Sequence, residues 1–531
     1  DMSSADTVLG DSGTDVLTYT DTSSVTGGEL NNVYDIERVV VSGTNINLTL
    51  TDSVFSATAG SGVGSDATID ASAGTRLTLN ASAESASDLL IIGTSDADNI
   101  TLGGGSDAVS LGGGNDYVDA SSISADSINL GANDDTVAFV NALDSLDAVL
   151  GGSGTDVLTY TDMSSLSGAE LDNVTDIERV VVSGTDINLT LTNTVFSETA
   201  GSGVGSDATI DASSGTRLTL NASTESTSDL LIIGTSDTDN VTLGGGSDAV
   251  SLGDGNDYVN ATSASADSIN LGAGADQVDF GSDMSSSDVV IGGSSGTDVD
   301  TLTFTDNSSA DGTELDNVSG IEYVVLGNAA SRVVVQDGMA SGTQVTVDAS
   351  ALTGGNALVF SAAAEDDTGY SIRSGTGDDS IVGSAVDDII LAGVGKDTLV
   401  GGLGNDWLQG EAGNDLFLVD TVDAQNGSVA DTFVGGADSD TIGMTRDGVF
   451  HLEGSTLDSV EAIDFGANDQ TVVVGVSQLT AVGLASIEGG AGNDVLSLVG
   501  TNAVGGGIAI DLSGLSILRV ESIEGTANGD S

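Results

Sequence analysis

The sequence predicts an all-β chain wound as a solenoid, an elongated rod of tandem repeats, and three observations carry that expectation. The first is repetition at two scales. The second is glycine, 75 of 531 residues, beside no proline and no cysteine. The third is the placing of the apolar residues, 39% of the chain. They fall in short runs of Val, Leu, Ile and Ala, as short strands require. Leu89 to Ile92 is typical of the longest runs, far short of the roughly 20 residues of a membrane-spanning helix. No segment shows a helical period.

The long repeat is plain to read. Asp15-Val16-Leu17-Thr18-Tyr19-Thr20-Asp21 returns unchanged at Asp156 to Asp162, and Asp35-Ile36-Glu37-Arg38-Val39-Val40-Val41 at Asp176 to Val182. A third copy is looser, at Asp300 to Asp306 and Ile321-Glu322-Tyr323-Val324-Val325. A fourth is looser still, at Asp440-Thr441-Ile442 and Val460-Glu461-Ala462-Ile463. Anchors at Asp6, Asp147, Asp288 and Asp431 divide the chain into units 1–146, 147–287 and 288–430 and a partial unit 431–531. Both termini fall inside a unit. The expectation is a piece of a longer protein, or a protomer that continues into a neighbour.

A shorter period lies inside each unit, in blocks at about 93–139, 234–280 and 374–420. Asp98, Asp107 and Asp116 are nine apart; Asp126 follows after ten and Asp135 after nine. Asp239, Asp248, Asp257, Asp267 and Asp276 repeat that rhythm. Asp379, Asp388, Asp397, Asp406 and Asp415 keep strict nines. An apolar residue stands two places after each Asp, such as Val109 or Ile381. Glycines usually precede it, as in Gly103-Gly104-Gly105-Ser106-Asp107. Good single copies end at Asp156 and Asp494, and Asp440 sits in the fourth unit's equivalent strand.

These positions have a chemistry. Val109-Ser110-Leu111 alternates in–out–in, the period of a half-buried strand. The glycine-rich stretch before it must turn tightly, which glycine permits. Such a turn aims carbonyl oxygens inward and the Asp adds charge. A hard cation that takes six to eight oxygens, Ca2+, suits that cage. The eighteen Asp residues just named are the candidate metal ligands. The competing reading, glycine for turns and aspartate for solubility, suits a lone copy but not three blocks of five. A stack of so many carboxylates cannot close without cations, so the chain is expected to be largely unfolded in chelator.

Gly-Gly-x-Gly-x-Asp-x-apolar-x resembles the repeat of the RTX (hemolysin-type calcium-binding) family. The resemblance implies a parallel β-roll with two nonapeptides to a turn. It also implies calcium between turns, held by carbonyls and by Asp residues eighteen apart: Asp98 with Asp116, Asp379 with Asp397, Asp397 with Asp415. Ser124 and Val386 replace a motif glycine, and the ten-residue step before Asp126 breaks phase, so sites there are weaker candidates. The segments between blocks, such as 36–92, read as wider rungs of the same solenoid. With the long repeats, they resemble bacterial surface-layer and extracellular matrix proteins of the RTX type.

Charge limits the partners. The chain carries 82 Asp and Glu against 9 Lys and Arg, a formal charge of −73. Nucleic acid and anionic membrane surfaces are poor partners on that ground, whereas divalent cations are favoured; with apolar runs this short, no membrane insertion is expected. His451 is the only histidine, which all but excludes zinc clusters and Ser-His-Asp triads. Trp407, Tyr117 and Tyr258 stand at outward slots beside their Asp. The expected role is therefore not enzymatic. It is that of a secreted, calcium-dependent structural protein of the bacterial cell surface, assembling head-to-tail and laterally with copies of itself, with cell-surface polysaccharide as a further expected partner. The alternatives are the stalk of a large RTX adhesin and the carrier region of a type I secreted enzyme or toxin.

Overall fold

The computed structural model describes residues 6–10, 13–20, 30, 32–52, 54–55, 64, 66–163, 168–193, 195–196, 205, 207–263, 265–281, 284–293, 298–304, 314–329, 331–335, 344–419, 430–499 and 512–525. The terminal segments 1–5 and 526–531, on which the expectation of a continuing repeat partly rests, lie outside them. The chain forms two compact units, Asp1–Gly272 and Ala273–Ser531. Each is a parallel β-solenoid.

In the first unit one sheet stacks Val16–Thr20, Arg38–Ser42, Ala67–Asp70, Leu89–Ile92, Ala108–Gly113, Ser127–Ala132 and Ala148–Ser153 as neighbours in that order. Non-consecutive strands are neighbours because each turn of the coil places one strand on each face. The intervening strands, among them Asn99–Thr101, Tyr117–Asp119, Thr136–Val140 and Val157–Met163, build the second face. Register follows the apolar slot after each Asp. Ile91, Val109, Ile128 and Val149 form one column. Ile100, Val118, Val137 and Leu158 form the other. All eight are buried, so a slip of one residue would turn a whole column into water.

The ten-residue step before Asp126 is absorbed without loss of register. Val109 still pairs with Ile128, and the extra length lies in the loop that carries Ile123, 88% exposed. The stretch 36–92 does supply wider rungs: Arg38 pairs with Thr68, and Thr44 with Thr75. Arg38 is tied to Asp70 at 2.5 Å, and its copy Arg179 to Asp211 at 2.5 Å.

The second unit repeats the plan with larger fillers. Ile372, Ile390, Leu408, Phe433 and Leu457 make one column. Phe360, Ile381, Leu399, Phe417, Ile442 and Ile463 make the other. Phe417 and Phe433 meet edge to face across the interior, with ring centroids 5.6 Å apart. Helix is confined, among the described residues, to short pieces such as Val476–Leu479.

Candidate metal centre

The repeat Asp does two jobs at once. One carboxylate oxygen closes the coil: in each block it accepts the main-chain N–H of the acid one turn below. Asp98 N–H donates to Asp116 Oδ1 at 2.7 Å, Asp116 to Asp135 at 2.7 Å and Asp135 to Asp156 at 2.9 Å. Asp107 donates to Asp126 at 2.9 Å on the other side of the same coil. The second block stacks Asp239 under Asp257 and Asp248 under Asp267. In the third, Asp379 donates to Asp397, Asp397 to Asp415 and Asp415 to Asp440. The parallel line runs from Asp388 through Asp406 to Asp431. Each bond satisfies an N–H at the strand start that the sheet ladder leaves over.

The other oxygen sorts the acids into two groups. Asp107, Asp116, Asp135, Asp156, Asp248, Asp397, Asp415, Asp440 and Asp494 each have a buried Oδ2 with no hydrogen-bond partner. A buried ionised carboxylate left so is costly. Burial, with neighbouring carboxylates adding to it, pushes Asp107 and Asp248 up to about 8 and Asp116 and Asp397 to about 7. Asp98 and Asp239 differ, because Thr94 and Thr235 donate to both of their oxygens. Ser384 does the same for Asp388, and Ser374 donates to Asp379. Asp126 accepts from the Ser124 hydroxyl at 3.2 Å.

Glycine leaves the space that the free oxygen faces. A Cβ on Gly151 would lie 2.7 Å from Asp156 Oδ2 and against the carbonyl of Asp176 in the turn above. Its neighbour Gly152 has φ +111° and packs on the carbonyl of Gly131 in the turn below, a conformation that side chains resist. Carbonyls from the turns above and below and an unpaired carboxylate oxygen thus border the turn at Gly151 and Gly152. Among the described residues, no three His, Cys, Asp or Glu side chains converge on one point. The donor set is therefore main-chain carbonyls plus one or two carboxylates, all hard oxygen. That composition fits Ca2+, and its charge would answer the unpaired oxygens.

All eighteen sequence-predicted Asp residues are buried, none more than 3% exposed. The structure stacks Asp98 on Asp116, Asp379 on Asp397 and Asp397 on Asp415. It also adds acids that the nonapeptide does not mark. Asp147 and Asp431 extend the lines without a glycine motif, and Asp300 extends them at a wider spacing behind Gly292 and Gly293. Glutamates then take the same place: Asp15, Asp156, Asp300, Asp440 and Asp494 donate to Glu37, Glu178, Glu322, Glu461 and Glu521. Each glutamate stands two residues before a stacked apolar residue, as Glu178 does before Val180. Acid-x-apolar is the signal that would have found them.

A family model described as the RTX calcium-binding nonapeptide repeat matches at residues 90–120, 231–259, 261–283, 373–408, 391–421 and 486–498. No curated protein sequence matches the chain. Repeats of this kind bind Ca2+ at multiple sites, and the proteins that carry them are generally secreted by bacteria. With its glycine turns and its stacked carboxylates, the chain carries the RTX calcium-binding nonapeptide repeat in several copies along its length.

Proposed function

We propose that the chain is a non-catalytic scaffold: a calcium-dependent structural protein of the bacterial cell surface that assembles with copies of itself into a surface layer, sheath or matrix filament. One observation supports this reading above the others. In both units the described strands are solenoid rungs in register, so what the chain offers is repeated surface and calcium-dependent rigidity. Folding that waits for external calcium suits a protein that leaves a calcium-poor cytosol unfolded and sets outside it. A charge of −73 keeps such rods apart in the absence of divalent cations and lets calcium bridge their acidic flanks when it is present. Outward slots holding Trp407, Tyr117 and Ile389, each about 40–50% exposed, supply apolar contacts for lateral packing.

The test is negative-stain electron microscopy of the purified chain in millimolar calcium and after chelation. Sheets or filaments that form with calcium and dissolve without it support assembly. Isolated particles in calcium overturn it and favour the stalk of an adhesin or the carrier region of a secreted enzyme.

A further inference from the structure

A turn just ahead of each of the first two blocks lies outside the matched repeats and carries a buried glutamate. Glu84 and Glu225 are each 1% exposed. One oxygen pins the turn: Glu84 Oε1 accepts from the N–H groups of Ala86 at 3.1 Å and Ser87 at 2.8 Å, and Glu225 Oε1 from Thr227 and Ser228. The other oxygen, Oε2, is buried in both and has no hydrogen-bond partner.

The first glycine turn of the block lies directly above. Gly104 N–H donates to the Glu84 carbonyl at 2.8 Å, and Ser106 N–H to Asp88 at 2.7 Å. That turn ends in Asp107, fully buried, whose Oδ1 accepts from Leu89 N–H while Oδ2 has no partner. Glu84 is among the carboxylates that push Asp107 upward, as Glu225 is for Asp248. Main-chain oxygens are at hand: a Cβ on Gly104 would lie 2.5 Å from the Ser85 carbonyl, and Gly105 packs on that of Ser87. Two buried like charges, each with an unused oxygen, require a cation between them or the loss of a charge.

We propose that Glu84 with Asp107, and Glu225 with Asp248, each hold one further Ca2+ beneath the first glycine turn of their block. These two ions are additional to those the nonapeptide motif accounts for. The third block supplies the contrast. Tyr370, fully buried, occupies the place of Leu89 and Leu230, beside Glu365, the counterpart of Glu84. Ser384 occupies the place of Gly103 and Gly244, and it donates to Asp388, the counterpart of Asp107. There the N–H and hydroxyl of Ser384 answer the aspartate that a cation answers in the other two blocks.

Bound calcium per full-length chain, counted by metal analysis after equilibrium dialysis at saturating Ca2+, tests the assignment. The E84Q/E225Q chain is expected to hold two ions fewer than the parent while keeping its circular dichroism, and E365Q the same number as the parent. An unchanged count in a folded E84Q/E225Q chain overturns the proposal. Should that variant not fold, Y370L/S384G decides: one ion more supports the site, and an unchanged count refutes it.

Discussion

Protons and calcium should exchange for one another in the folding of this chain. Asp107 and Asp248 are held near 8 by burial and by their carboxylate neighbours, against about 3.9 for an aspartate in an unfolded chain. A carboxyl whose folded value is raised binds its proton more tightly when folded. Its contribution to stability is present in acid and is lost as pH rises through the folded value. Between pH 5 and 8 each of these two groups withdraws roughly 4 kcal/mol from a calcium-free fold. Together that rivals the about 5–15 kcal/mol that holds an ordinary domain. Asp116, Asp126 and Asp397, at about 7, act in the same direction.

The assay is circular dichroism of calcium-stripped chain from pH 8 down to pH 5, beside the same series in millimolar calcium. Acidification stops at 5 because the sequence pI of about 4.1 invites precipitation below it. Without calcium the chain is expected to be disordered at pH 8 and to gain β-structure as pH falls through 8 to 6. With calcium it is expected to be ordered at pH 8 and to release ions over that same interval. Full β-structure at pH 8 in calcium-free buffer would refute the reasoning, as would a chain that stays disordered at pH 5.

Two substitutions separate the halves of the carboxylate's work. Asp397→Asn keeps an oxygen to accept the Asp379 N–H but removes the charge; titration should show folding intact at high calcium and half-saturation raised roughly tenfold or more. Asp397→Ala removes both, and calcium-saturated thermal unfolding should show a further loss of about 1–3 kcal/mol for the stranded N–H. Glu178→Ala strands the N–H of Asp156 in the same way and should cost about 1–3 kcal/mol, while Glu178→Gln, which keeps the acceptor, should unfold close to the parent.

Much of this was legible because the nonapeptide fixes three things together: a glycine turn, an acid at its end and an apolar slot two places on. Asp107, Gly103 and Val109 could be placed from spacing alone. The second role of the acid could not, since nothing in a period of nine says that Asp116 reaches the main chain of Asp98 rather than only a metal. Glu178 escaped for a related reason. It has no glycines before it, and its extra methylene reaches the same N–H from a wider rung. The division between Asp107 and Asp98 was visible in principle, as a threonine in Gly93-Thr94 where a metal turn has a second glycine. Its meaning needed the hydrogen bonds, because only they show that Thr94 uses both oxygens of Asp98.

The geometry explains why calcium and folding are hard to separate in this chain. Each repeat acid lends one oxygen to the turn below and keeps the other for the gap between turns. Protonation or a cation must therefore answer the second oxygen before the first can hold the coil together. Where a hydroxyl answers it instead, as Thr94 and Ser384 do, the rung needs no ion, and such rungs stand at or near the start of their blocks. A block can then begin from a metal-free rung and add calcium turn by turn, and the glutamate rungs that follow, closing on Glu178 and Glu461, pass the same backbone contact on to segments that have no metal turn of their own.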